Sequence, residues 1–237
     1  DGIQEQAFSH WVLDVEANDS DTVITRTSST INEDIQVNID LAPLDTVTFT
    51  VSGEVNVKAT GVIKNTATME FNGITATDDA ELKPAAQNVS FIKTLKDGSQ
   101  EAKYIAGEEA EFHITLVNNA ASFAQNIQIT DIISDLQVTT ILGATEDAFS
   151  SWDINYDIQN DKYSTTIIDP LPLGKDIDVT VDLAPNATID FIVKGIVNSN
   201  ALGDISNTAS MDDGVTTIDS TAVLKPEEVV LMVKKIA

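Results

Sequence analysis

From Glu109 to Asn119 the chain reads EAEFHITLVNN, in which Phe112, Ile114 and Leu116 alternate with Glu111, His113 and Thr115. A period of two places one set on a buried face and the other in water. The run DIDVTVDLAP repeats the pattern, with Ile177, Val179, Val181 and Leu183 facing one way and Asp176, Asp178, Thr180 and Asp182 the other. Both read as antiparallel-type strands. Further strands are predicted at Val89 to Lys93, Asn126 to Asp131, Ile154 to Tyr156, Tyr163 to Ile168, Thr188 to Val197, Ile205 to Met211 and Thr217 to Leu224, separated by clusters of Gly, Asn, Asp and Pro. No stretch sustains a helical period. Short strands at this spacing predict an all-β chain of two-sheet sandwiches of immunoglobulin type.

The pattern also repeats at long range. EQAFSHW (Glu5 to Trp11) returns as EDAFSSW (Glu146 to Trp152), VNIDLAP as VTVDLAP, KNTATM as SNTASM and AELKP as AVLKP. Pro43 and Pro185, Asn65 and Asn207, and Pro84 and Pro226 are each 142 residues apart, whereas Trp11 and Trp152 are 141 apart, so a one-residue indel is predicted between the tryptophan motif and DLAP. A period of this length suits whole domains in tandem rather than a solenoid. The expected organisation is the C-terminal part of a repeat at 1–86, lacking its early strands, a complete repeat at 87–228, and the first strand of a following repeat at 229–237. The chain thus reads as a window on a longer array.

Composition narrows the function. The 237 residues contain no cysteine and 5% aromatics, and carry a formal charge of −25. That charge argues against nucleic acid or anionic membrane as partners, both of which need basic patches. There is no apolar run long enough to span a membrane, so no direct insertion is expected. Without cysteine, a protein outside the cell needs some stabiliser other than disulfides.

The segments FIKTLKDG, YIAGEEAEFHITLVNNA, NIQITDIISDL, DLAPNATIDFIVKGIV and ISNTASM, in this order, resemble the bacterial surface-protein "conserved repeat domain" family, domain of unknown function 11. The resemblance covers Val89 to Pro226, and its second half appears again in residues 1–86. It implies an immunoglobulin-like spacer or adhesive domain, extracellular, at the cell surface or wall, and it does not imply an enzyme.

Parity picks out three polar side chains. Lys93 shares a face with Val89 and Phe91, Asp131 with Ile127 and Ile129, and Asn207 with Ile205 and Ala209. All three are thus predicted to point into the core, where an unpaired charge is costly. In chain order they resemble the intramolecular isopeptide triad of Gram-positive adhesins, in which a neutral lysine attacks an asparagine carboxamide polarised by a protonated acid. The bland alternative is an asparagine that hydrogen-bonds a nearby loop and a lysine that snorkels to water. Asn65 is the repeat equivalent of Asn207, and Lys235 that of Lys93, each without the rest of its triad.

Calcium is the one cofactor the sequence suggests, through acidic turns that could supply six to eight oxygens. These hold Asp14, Glu16, Asp19 and Asp21 after the first tryptophan, Asp157 and Asp161 after the second, and Asp78, Asp79, Asp212 and Asp213 in late turns; the alternative for each is a solvated loop. Phe8, Trp11, Phe149 and Trp152 recur as expected core anchors. His113 lies on the wet face and His10 is replaced by Ser151 in the second copy, so neither suggests metal or triad chemistry.

The favoured function is a structural stalk whose partners are neighbouring repeats of the same protein. One alternative is a module that binds a surface glycan or protein through its loops. Another is a filament subunit completed by strand exchange, with VVLMVKKIA (Val229 to Ala237) as the free strand.

Overall fold

The computed structural model describes residues 6–26, 35–59, 61–168 and 176–227. It divides into two units, Asp1–Ala85 and Ala86–Ala237. Residues 229–237, Lys235 among them, lie outside the described residues.

The described residues of the first unit form six strands: β1 (Phe8–Ala17), β2 (Val23–Arg26), β3 (Val37–Asp40), β4 (Val47–Val55), β5 (Ile63–Phe71) and β6 (Ile74–Leu82). They form three two-stranded antiparallel ladders, β1 with β4, β2 with β3 and β5 with β6. Asn72 and Gly73 turn the last hairpin with φ of 50° and 77°, the left-handed pair that a two-residue turn between twisted strands requires. β6 is solvent-exposed along its whole length, and β5 everywhere after Ile63.

The second unit is an immunoglobulin-like sandwich. Its strands are β7 (Val89–Leu95), β8 (Glu101–Tyr104), β9 (Glu109–Asn118), β10 (Ala124–Asp131), β11 (Gln137–Thr139), β12 (Thr145–Asp147), β13 (Phe149–Gln159), β14 (Thr166–Ile167), β15 (Ile177–Leu183), β16 (Thr188–Val197), β17 (Ile205–Asp212) and β18 (Thr217–Pro226), with one 3-10 turn at Ile133–Asp135. One sheet has the order β13-β16-β9-β7 and the other β14-β15-β10-β17-β18-β8. Phe112, Ile114 and Leu116 of β9 and Ile189, Phe191 and Val193 of β16 are fully buried, as are Ile127 and Ile129 of β10, Ile177, Val181 and Leu183 of β15, and Ile205, Ala209 and Met211 of β17. The alternation seen in the sequence is therefore the in-and-out alternation of the sandwich. Among the described residues no helix is long and apolar enough to cross a membrane.

Several elements differ from the sequence expectation. β13 begins at Phe149, well before the predicted Ile154, and β8, β11 and β12 had no sequence signal because each is only three or four residues long. β10 contains a bulge at Asn126, whose φ is 55°, so that Ala124 and Ile127 are both buried.

The strand pairs recur between units. β1–β4 corresponds to β13–β16, β2–β3 to β14–β15, and β5–β6 to β17–β18. The single-residue indel is corrected by one contact: the Ala42 N–H donates to Thr22 Oγ1 (3.0 Å), and the Ala184 N–H to Thr165 Oγ1 (3.1 Å). The two alanines are 142 apart but the two threonines 143. The loop after the second tryptophan is thus two residues longer, and one residue is lost again before DLAP.

Candidate functional site: a buried Lys-Asp-Asn cluster

Lys93, Asp131 and Asn207 do meet in the core. β7 carries Lys93 on the inward parity of the four-stranded sheet, and β10 and β17 carry Asp131 and Asn207 on the inward face of the other sheet. Exposure is 0% for Lys93 and 1% for Asp131 and Asn207. Lys93 Nζ donates to Asp131 Oδ2, and Asn207 Nδ2 donates to the same oxygen at 3.3 Å. Asp131 Oδ1 has no partner, and Lys93 Nζ lies 5.2 Å from the centroid of the Phe112 ring.

Burial controls the electrostatics. It lowers the Lys93 pKa to about 8, against the opposing pull of the Asp131 carboxylate. Asp131 is raised above its ordinary value, again by burial first, with Lys93 and Asn207 opposing. Both shifts favour a neutral amine beside a neutral acid, because a low-dielectric site disfavours either charge. A neutral amine has a lone pair for nucleophilic attack, and a protonated acid can polarise a carbonyl. The geometry therefore brings together the three groups that forming an amide between Lys93 and Asn207 requires.

Asn65, the repeat equivalent of Asn207, lies on exposed β5 opposite Ala80, and among the described residues no side-chain hydrogen bond joins it to a lysine or an acid.

The acidic residues are used locally, and Asp14, Glu16, Asp78, Asp79, Asp157 and Asp212 lie in strands rather than in the expected turns. Asp14 accepts the Val15 N–H (3.0 Å), Asp19 that of Asp21 (2.9 Å), Asp78 that of Asp79 (3.0 Å) and Asp161 that of Thr165 (2.6 Å). Asp157 accepts the Gln159 amide (3.0 Å), Asp212 the Gly214 N–H (2.7 Å), and Asp213 the N–H groups of Val215 and Thr216. Asp79 pairs with Lys64 (3.1 Å), and Glu16 is exposed on β1. Among the described residues no three of these side chains gather as a metal-binding group.

The aromatic motif needs a correction. Of the four expected core anchors only Phe149 is buried, while Phe8, Trp11 and Trp152 are half-buried. The motif marks a bulge between Phe8 and His10 in β1, and between Phe149 and Ser151 in β13, with the tryptophan opposite a glycine of the neighbouring strand: Trp11 with Gly53, Trp152 with Gly195. A Cβ at Gly195 would meet the Phe149 ring at 2.5 Å, and one at Gly53 would meet the His10 carbonyl oxygen at 2.6 Å. The conformation needs glycine for close approach. Trp152 lies on an edge strand and so remains partly open, lining a shallow cleft of about 170 Å3 with Glu109, Asp153 and Lys194.

One polar cluster was not anticipated. His113 faces outward but is half-buried between Asp190 (Nδ1 to Oδ2, 2.7 Å) and Glu111 (Nε2 to Oε1, 2.9 Å), and Thr115 donates to Asp190 Oδ1 (3.0 Å). Glu111 also pairs with Lys96 (3.0 Å) and Lys194 (3.5 Å). Only Glu111, His113 and Thr115 alternate in sequence; Asp190 joins them because β16 pairs with β9.

No family model matches the chain, and no curated protein does. Similar solved structures include the collagen-binding domain of a Staphylococcus aureus adhesin, at 15% identity over 57% of this chain and 96% of that one, with a TM-score of 0.35. BcpA, the major pilin subunit of Bacillus cereus, matches at 12% identity over 78% of this chain and 51% of that one, TM-score 0.38. A family 123 glycoside hydrolase of Clostridium perfringens matches at 14% identity over 55% of this chain, TM-score 0.34, and the chain spans 22% of its length. The β-sandwich assignment rests on the strand pairing itself.

Proposed function

We propose that this chain is a structural stalk or spacer repeat of an extracellular surface protein, and that an amide bond between Lys93 and Asn207 ties the two sheets of its sandwich together. The buried cluster carries this reading. A fully desolvated lysine and aspartate are an expensive way to hold a core, and amide formation removes the ammonium altogether. Once the Asn207 carboxamide turns over, so that its oxygen rather than Nδ2 faces Asp131, the Lys93 amine attacks Cγ while Asp131 donates its proton to that oxygen. The amine proton passes through Asp131 to Nδ2; as the intermediate collapses, the Cγ–Nδ2 bond breaks, the oxygen returns its proton to Asp131 as the C=O re-forms, and ammonia leaves. The tie would do in this cysteine-free chain what a disulfide does elsewhere. The role is mechanical, its partners are neighbouring repeats, and no turnover of a substrate is involved. A surface repeat of the conserved-repeat type agrees with the tandem copies and with a surface too acidic for nucleic acid.

Intact mass tests the bond. The purified chain should weigh about 17 Da less than its sequence, the mass of the ammonia expelled by the lysine nucleophile, and Asp131→Ala should restore the full mass. When the chain is pulled from its ends, residues 94–206 should not add to its extension. A full-mass wild-type chain overturns the bond, and full extension overturns the mechanical role.

A further inference from the structure

We propose that the first unit is an open half-sandwich whose apolar face receives a strand segment like that of β7 to β12, and that Asn65 then forms a second amide with the lysine of that segment. The proposal rests on the Lys93–Asn207 reading above and extends it to a docking surface.

The repeat supplies a residue-by-residue control. Met69 is 64% exposed while its equivalent Met211 is 0% exposed; Leu41 is 56% exposed against 0% for Leu183, and Val51 42% against 0% for Val193. The same residue types at equivalent repeat positions are covered in one unit and bare in the other. The second unit has strands that the described residues of the first lack. β9 pairs with β16, and β10 lies between β15 and β17. Among the described residues of the first unit no strand corresponds to either, so β4 pairs only with β1, β3 only with β2 and β5 only with β6. These open edges and bare apolar positions match a segment with three properties: alternating apolar strands, a lysine on the inward parity of the first, and an aspartate 38 residues later, as Lys93 and Asp131 are spaced.

Asn65 makes the match chemical as well as steric. It shares parity with Ile63, Ala67 and Met69, as Asn207 does with Ile205, Ala209 and Met211. In the second unit, the amide of that asparagine donates to the acid of the cluster. An incoming lysine amine would attack Asn65 Cγ, the incoming aspartic acid would shuttle the proton to Nδ2, and ammonia would leave, as at Asn207.

The test is the full chain carrying an added copy of residues 86–147 directly before Ala7, which keeps the donor at high effective concentration. The expected result is a second loss of about 17 Da, for the same chemistry, which Asn65→Ala abolishes while the first loss at Asn207 remains. Independently of any bond, peroxide oxidation of Met69 to the sulfoxide should slow about tenfold on burial. Unchanged Met69 oxidation overturns the docking surface. Protection without the second mass loss overturns the bond at Asn65. Loss of both amides at once points instead to failure of the Lys93–Asn207 reading. Dimers of the unmodified chain in solution would make a second copy the occupant and overturn the strand segment.

Discussion

Met69 and Met211 occupy the same place in two copies of one motif, KNTATM and SNTASM, yet one is bare and the other completely buried. Both lie in a correctly registered hairpin, β5–β6 or β17–β18. The local pattern is therefore enough for a ladder, but a ladder has two faces and covers neither. Burial in the second unit needs a complete facing sheet, built with strands far away in the chain, β7 and β9 among them. A two-stranded ribbon gains little stability in water until further strands or a second layer cover it.

The comparison can be broken most sharply at the cluster. Asp131→Ala should destabilise the second unit by about 3–5 kcal/mol, because it prevents the amide and leaves Lys93 buried without its partner. Asn65→Ala in the exposed copy should stay within about 0.5 kcal/mol. Denaturant unfolding measures both. The methionines come next. Met211→Ala should cost about 2–5 kcal/mol as a core truncation, and Met69→Ala less than about 0.5 kcal/mol as a surface change.

A pH experiment isolates Lys93. In Asn207→Ala no amide can form, so Lys93 remains free, with a folded pKa of about 8 against 10.5 when unfolded. Between these values the unfolded chain binds a proton that the folded chain does not. Stability should therefore rise with pH across this window, by up to about 3 kcal/mol. Lys93→Met in the same background should remove the rise. The unfolding free energy at a series of pH values provides the check.

The glycines test what the two units share. Gly195→Ala should cost about 1–3 kcal/mol, since the new Cβ drives into the Phe149 ring. Gly53→Ala should loosen β1 from β4, visible as faster amide exchange there, because a Cβ would meet the His10 carbonyl oxygen. The smallest effect is at a turn. Leu44 holds φ of 67° and is fully exposed, whereas the second copy has Asn186 at 59°. Leu44→Asn should stabilise the first unit by about 1 kcal/mol, because asparagine tolerates the left-handed region. Thermal melting is the readout.

Much of this was legible in sequence for a definite reason. A strand's faces follow from a period of two, so Phe112, Ile114 and Leu116 declared themselves, and so did the inward parity of Lys93, Asp131 and Asn207. The bulge at Asn126 was not legible, because the phase break it makes in the period-two pattern rests on one small residue, Ala124, on its far side. Trp152 misled because its recurrence signals a required position, which is here an edge strand opposite a close-approach glycine rather than the centre of the core. Asp190 joined His113 only through the β9–β16 pairing, across 77 residues of chain.

By itself the sequence determined the longer strands and their faces, the tandem copies and the identity of three core-facing polar groups, since each depends on residues a few positions apart or on direct likeness between copies. The tertiary structure alone decided that Lys93 comes from one sheet and Asp131 and Asn207 from the other, and that the three touch. It also decided that Asn65, in the same motif, stands exposed. Parity states only that a side chain points inward. What it meets there depends on which distant strands pair and which sheet they join, and that choice is made by burial summed over the whole sandwich.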